Sequence, residues 1–142
     1  MLFLVCVDSS DAALHVVERA IAHARAWDAA LHVLHVFQPP VTTYALEPTF
    51  ALELDDLEEA ERQSVWDPVG QRLDESDLSW ARVDRVGYPV SEIVDYAREI
   101  APQLIVIGTR GRGDFVSLVL GSTSNGVIQQ APCDVLVVRS PA

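Results

Sequence analysis

Apolar runs, separated by stretches patterned like amphipathic helices, organise this chain from end to end. Leu2–Val7 is almost unbroken in its hydrophobicity, as a parallel strand covered on both faces requires. Ser9, Ser10 and Asp11 then offer helix N-caps, and Leu14, Val17, Ile21 and Ala24 recur at three-to-four spacing, which predicts a helix to about Trp27. Leu31–Phe37 is the second apolar run; Gln38-Pro39-Pro40 ends it and opens a loop to about Pro48. From Thr49 to about Glu75, Phe50, Leu54, Leu57, Val65, Val69 and Leu73 fall at helical intervals. Asp55, Asp56, Glu58, Glu59 and Glu61 lie between them and read as a solvated helix face, while Pro68 is expected to kink or split the helix.

Leu78–Val86 reads as a third strand, placed at a sheet edge by Arg82, Asp84 and Arg85. Gly87-Tyr88-Pro89 turns into a helix with Pro89 near its first position and Val90, Ile93, Val94 and Ala97 as its buried stripe. Gln103–Ile107 is the fourth strand, Ser122–Ala131 a last helix, and Asp134–Arg139 the fifth strand. Strict alternation of strand and helix specifies an α/β fold, a parallel sheet with helices on both faces joined by right-handed crossovers. In such a sheet ligands bind beyond the carboxyl ends of the strands, where successive crossovers diverge. With the strands in the order 3-2-1-4-5, that point lies between the first and the fourth.

Two features converge there. Asp8 ends the first strand, and the fourth opens into IVIGTRGRGDFVSLVLGST, from Ile105 to Thr123. Gly108 lets main chain approach a ligand with no side chain in the way. Gly121, Ser122 and Thr123 begin a helix whose first N–H groups and positive dipole end can receive phosphate. Ser122 and Thr123 can also hydrogen-bond phosphate oxygens or cap their helix. Arg110 and Arg112, within the loop, are either phosphate clamps or solvated surface residues. The apolar stretch from Phe115 to Leu120 either closes over a ligand, packs on a partner chain, or fills core beneath the loop. Asp8 has two roles open to it as well. Its carboxylate could accept from a ribose hydroxyl or hold a water on phosphate-bound Mg²⁺, or it could help to cap the first helix.

Composition narrows the picture. With 142 residues and 49% of them hydrophobic, the chain reads as one globular domain over 1–142, long enough to bury a core. No apolar run is long enough to span a bilayer, and Met1–Val7 lacks the basic lead of a signal peptide, so a cytoplasmic location is expected. The net charge is −11 and all ten basic residues are arginines, which argues against association with nucleic acid. The acidity fits a high-salt proteome or a GC-rich genome equally well. Cys6 and Cys133 lack CxxC spacing and read as reduced, small core residues.

At Gly108, Gly111, Gly121 and Ser122 the chain meets a pattern of glycine, two residues, glycine, nine residues, then glycine followed by serine or threonine. It thereby resembles the nucleotide-binding subgroup of the universal stress proteins. Val7-Asp8-Ser9, His35-Val36, Gly87-Tyr88-Pro89 with Glu92-Ile93-Val94, and the terminus from Pro132 to Val138 extend the resemblance to essentially the full length. Cys6 or Val7 stands where that family often has a proline or small residue, and Asp134 where it often has a proline. The resemblance implies a three-layer sandwich around a five-stranded parallel sheet in the order 3-2-1-4-5, with ATP or a related adenine nucleotide, and Mg²⁺, at the switch point. It further implies that Asp8 and the main chain near Val36 hold the nucleoside. Ile107, Gly108, Arg110 and Gly111 would then line the ribose and phosphates, and Gly121, Ser122 and Thr123 would cap the phosphates. A homodimer through Val135–Val138 is implied too.

The sequence contains no Walker lysine and no glycine-flanked serine nucleophile. His32 and His35, at odd spacing in a strand, are expected on opposite faces of the sheet. The expected function is therefore an ATP-binding stress-response or signalling module with an unidentified protein partner. The alternatives are a slow Mg²⁺-dependent ATPase or phosphotransferase using Asp8 and Arg110, and an interaction module that no longer uses nucleotide.

Overall fold

Among the described residues, nine elements alternate along the chain: β1 (Leu2–Val7), α1 (Ala13–Trp27), β2 (Ala30–Phe37), α2 (Thr49–Asp74), β3 (Trp80–Val86), α3 (Pro89–Ile100), β4 (Leu104–Gly108), α4 (Ser122–Gln130) and β5 (Asp134–Val138). The computed structural model describes residues 1–40, 49–109 and 120–140, with only the backbone course at 49–52. The strands form a parallel sheet in the order β3-β2-β1-β4-β5, as the resemblance implies. β1 lies at its centre, pairing Val5 with Val33 of β2 and with Val106 of β4. β3 is an edge, as its charged residues predict.

Each face of the sheet is buried under a pair of helices. Phe3, Val5, Val7, Leu31, Val33 and Val106 point to one side, where Val17, Ala20 and Ile21 of α1 meet Val65, Trp66 and Val69 of α2. Leu4, Cys6, Leu34, Ile105 and Ile107 point to the other, against Ile93, Tyr96 and Ala97 of α3 and Val127 of α4. This two-residue alternation explains why the central strands read as continuous apolar runs. His32 and His35 do fall on opposite faces: His32 Nδ1 lies 2.7 Å from the Tyr96 hydroxyl of α3, and His35 Nε2 lies 2.8 Å from Glu61 Oε2 of α2.

Three sequence expectations are corrected. Leu14 is exposed, because the buried stripe of α1 runs instead through Ala13, Val16, Val17, Ala20, Ile21 and Ala24. None of Ser9, Ser10 and Asp11 caps α1; the N-cap is Ala12 and no side chain bonds to it. Pro68 does not split α2, which runs through it. Proline removes the bond to the carbonyl four residues earlier, and here both Pro68 and Ser64 are exposed, so that carbonyl belongs to the solvated side of the helix.

Two glycines are required by close geometry. Gly87 joins β3 to α3 at φ +152, where a Cβ would also lie 2.8 Å from Glu92 Oε1. At Gly126 a Cβ would lie 2.8 Å from Val90 Cγ2, so this glycine lets α4 settle onto α3. The position of α4 in turn sets the wall of the crevice above β4.

Candidate functional site

The carboxyl ends of β1, β2 and β4 open into a cavity of about 300 Å³. Its walls come from five segments distant in sequence: the β1–α1 turn, the end of β2, α2, the start of α3, and β4 with α4. Order in the sheet explains the convergence. The chain leaves β1 toward β2 on one face and later enters β4 on the other, so a gap remains where those crossovers part.

Of the residues expected from the sequence, Asp8, Val36, Ile107, Gly108 and Thr123 line this cavity. Gly121 stands beside it as the N-cap of α4, followed by Ser122 at the first helical position. Arg110 and Gly111, with Arg112 and Phe115–Val119, lie outside the described residues, as does the loop from 41 to 48. Val135–Val138 lies on the outer strand β5, where Val135, Leu136 and Val137 are half-buried and Val138 is buried.

The β4–α4 side is made chiefly of main chain. The Thr109 N–H donates to the Val138 carbonyl at 2.9 Å, and the Gly121 N–H donates to the Thr109 carbonyl at 2.7 Å. Ser124, a residue the sequence reading passed over, is almost fully buried. Its hydroxyl faces the carbonyls of Gly108 (2.8 Å) and Thr109 (2.9 Å), donating to one at a time and tying the first turn of α4 to the end of β4. Among the described residues no side chain caps this helix, so its leading N–H groups suit an acceptor on a ligand.

Asp8 braces its own turn. Its Oδ1 accepts the Ser10 N–H at 2.9 Å, and Oδ2 has no hydrogen-bond partner among the described residues. The Ser10 hydroxyl, also in the cavity wall, is buried and unpaired among the described residues. Beneath Asp8 lies Cys6, whose thiol is pushed far above its ordinary range by burial first, and by the Asp8 and Cys133 charges after it. It stays protonated, and Cys6 and Cys133 are both free thiols.

The β2 side is built from ionic side chains. His35 is 1% exposed and donates from Nε2 to Glu61 Oε2, while its Nδ1 has no hydrogen-bond partner and lies 3.7 Å from Asp84 Oδ1. Asp84 accepts from the Trp66 indole at 2.8 Å and from Arg82 Nε at 2.7 Å. Burial raises its pKa, but those two hydrogen bonds and the Arg82 and Arg62 charges outweigh that, so the carboxyl sits below the usual value. Arg62 adds an ion pair to Glu58 at 2.6 Å. His35 and Glu61 both line the cavity. Glu61 resembled any other acid on a solvated helix; only the fold shows that it faces inward. Among the described residues, no cluster of three or more histidine, cysteine or acidic side chains is arranged to hold a metal ion. No described helix is long and apolar enough to cross a membrane.

The sheet order and the crevice at its switch point define a doubly wound α/β domain of the kind that carries ligands at strand ends. Residues 2–139 match the model of the universal stress protein family, and the chain belongs to that family. It is 37% identical over 137 residues to a universal stress protein of Thermus aquaticus, with 96% of each chain covered. Among solved structures, UspA from Lactobacillus plantarum superposes with a TM-score of 0.85 at 31% identity, covering 98% of this chain and 97% of that one. A universal stress protein in complex with cAMP superposes with a TM-score of 0.72, covering 99% of this chain and 98% of that one; at 23% identity that likeness is one of fold.

Proposed function

We propose that this chain, as one domain over 1–142, binds an adenine nucleotide, ATP or a close relative, and serves as a regulator in the cytoplasm. The observation that carries the reading is the convergence of Asp8, Val36, Gly108 and Thr123 on one cavity, beside a helix start that no described side chain caps. The leading N–H groups of α4 suit phosphate, and the second carboxylate oxygen of Asp8 suits a ribose hydroxyl or a water on nucleotide-bound Mg²⁺. The main chain at Val36 is then left for the base. Arg110 and Gly111 would complete the phosphate end from outside the described residues. That a protein of the same fold is known with cAMP is consistent with this choice of ligand.

Binding rather than turnover is the proposed role, because the cavity's imidazole, His35, is already engaged by Glu61. The loaded state would be read by a protein partner, and two copies would pair through the outer strand at Val135–Val138, an apolar edge that is otherwise an aggregation hazard.

The test is the nucleotide content of freshly purified, heat-denatured protein, followed by calorimetric titration of stripped protein with Mg·ATP. Near-stoichiometric ATP or ADP, or saturable binding of added ATP, is expected. An empty extract together with a flat titration would sink the proposal.

A further inference from the structure

The two ends of the cavity carry opposite chemistry, and that asymmetry bears on which ligand enters and which way round it lies. At one end stand the β4 terminus and the N-terminal turn of α4, with main-chain donors. At the other, Glu61 reaches down from α2. β1 lies between β4 and β2, each step across the sheet being about 4.8 Å, so the two ends are roughly 10 Å apart. A nucleotide with phosphates over β4 and sugar over Asp8 of β1 therefore delivers its base to β2, beside His35 and Glu61.

Glu61 is fixed there. Its Oε2 accepts a hydrogen bond from the Nε2–H of His35, a side chain 1% exposed and locked in the sheet, while Oε1 has no partner among the described residues. Behind the ring, Nδ1 lies 3.7 Å from Asp84 Oδ1, and Asp84 is itself held by Trp66 and Arg82. A carboxylate held this way accepts hydrogen bonds and repels phosphate. We infer that Glu61 is the specificity-determining acceptor at the base end of the cavity, reading the exocyclic amino group of the base, and that His35 is the positioning residue that aims it. The inference rests on the nucleotide reading above and adds to it a side chain that selects the base. A base carrying a carbonyl at that position would meet the carboxylate with a second acceptor, and a reversed nucleotide would place phosphate against a fixed negative charge.

The experiment titrates ATP and purine riboside triphosphate, which is ATP without the 6-amino group, into stripped protein with Mg²⁺. ATP is expected to bind about tenfold more tightly than the analogue, the size of one hydrogen bond to a charged group. Glu61→Ala should bring that ratio close to one by weakening ATP alone. Glu61→Gln keeps the bulk and covers the case in which the alanine variant does not fold; the ratio should fall to about a third, since a neutral acceptor is weaker. His35→Gln, whose amide still donates to Glu61, should keep the ratio, and His35→Leu should lose it while ATP and the analogue converge. Normal ATP binding with an unchanged ratio in the Glu61 variants overturns this inference and leaves the nucleotide reading standing. An equal loss for both nucleotides overturns it too, by making Glu61 a merely structural residue. No binding of either nucleotide by the wild-type protein overturns both.

Discussion

The two ends of the cavity are made of different material. The β4–α4 end is main chain shaped by glycine: Gly108, Gly121 and the first turn of α4, held by backbone hydrogen bonds and by the Ser124 hydroxyl. The β2–α2 end is a net of side chains, in which His35, Glu61, Asp84, Trp66 and Arg82 come from three elements. Backbone binds any phosphate that fits; a fixed carboxylate chooses among donors. On the proposed reading, the comparison teaches that affinity and selectivity are separable, the first assigned to the β4 end and the second to the β2 end.

The sharpest way to break that division is Gly121→Val. Gly121 has φ −63 and ψ 161, a conformation open to every residue, so the fold should survive. The added branched side chain beside the helix start should abolish ATP binding, by calorimetry, with far-ultraviolet circular dichroism unchanged. Unchanged affinity in a folded variant would move the phosphate site elsewhere. Gly126→Ala acts on the same end through packing. Its Cβ would lie 2.8 Å from Val90 Cγ2, so α4 must lift or Val90 must turn. Overpacking of this kind costs about 1–3 kcal/mol, to be read as a lower urea midpoint, and tilting α4 should weaken ATP with it.

The same contrast explains what was legible in the sequence. Strand runs, helix stripes and edge charges are local patterns, and they predict all nine elements and the place of β3 at an edge. The glycine spacing after β4 is local too, so Gly108, Gly121, Ser122 and Thr123 could be singled out at sight. Glu61 could not. It sits among Glu58 and Glu59 on a helix whose acids mostly face water, and its partner His35 lies 26 residues earlier. Only the packing of α2 onto β2 turns one of those acids inward. Ser124 escaped for a related reason: its value lies in facing two carbonyls 15 and 16 residues away, and nothing in its neighbours marks it. Leu14 misled because, round the helix, it falls at the margin of the stripe that Ala13, Val16, Val17, Ala20, Ile21 and Ala24 bury.

Asp8 stands between the two ends and tests whether they share a ligand. Its Oδ1 is engaged by the Ser10 N–H, which leaves Oδ2 for the proposed nucleotide contact. Asp8→Ala should weaken ATP by about 1–3 kcal/mol if that oxygen makes a buried hydrogen bond. Asp8→Asn, which can still brace the turn, separates the roles: full recovery of affinity would show that the turn was the whole contribution. With the sugar over Asp8, as proposed, a loss common to ATP and its 6-deamino analogue is the expected pattern.

The smallest effect concerns the support behind His35. Asp84 is a half-buried carboxylate whose pKa is lowered on folding, because hydrogen bonds from Trp66 and Arg82 and the nearby arginine charges prevail over the cost of burial. A carboxyl with a depressed folded pKa lends stability that is present above its unfolded value of 3.8 and is lost as pH falls through the lower, folded value. Solvent reaches this group, so screening limits the contribution to less than about 1 kcal/mol. Urea unfolding of wild type and Asp84→Asn at pH 6 and again below pH 3.8 isolates it, because every other carboxylate cancels in the difference. The gap between the two proteins should narrow as the pH drops. If the gap is flat across that range, the Asp84 charge adds nothing to stability, and the β2 end owes its rigidity to packing rather than to charge.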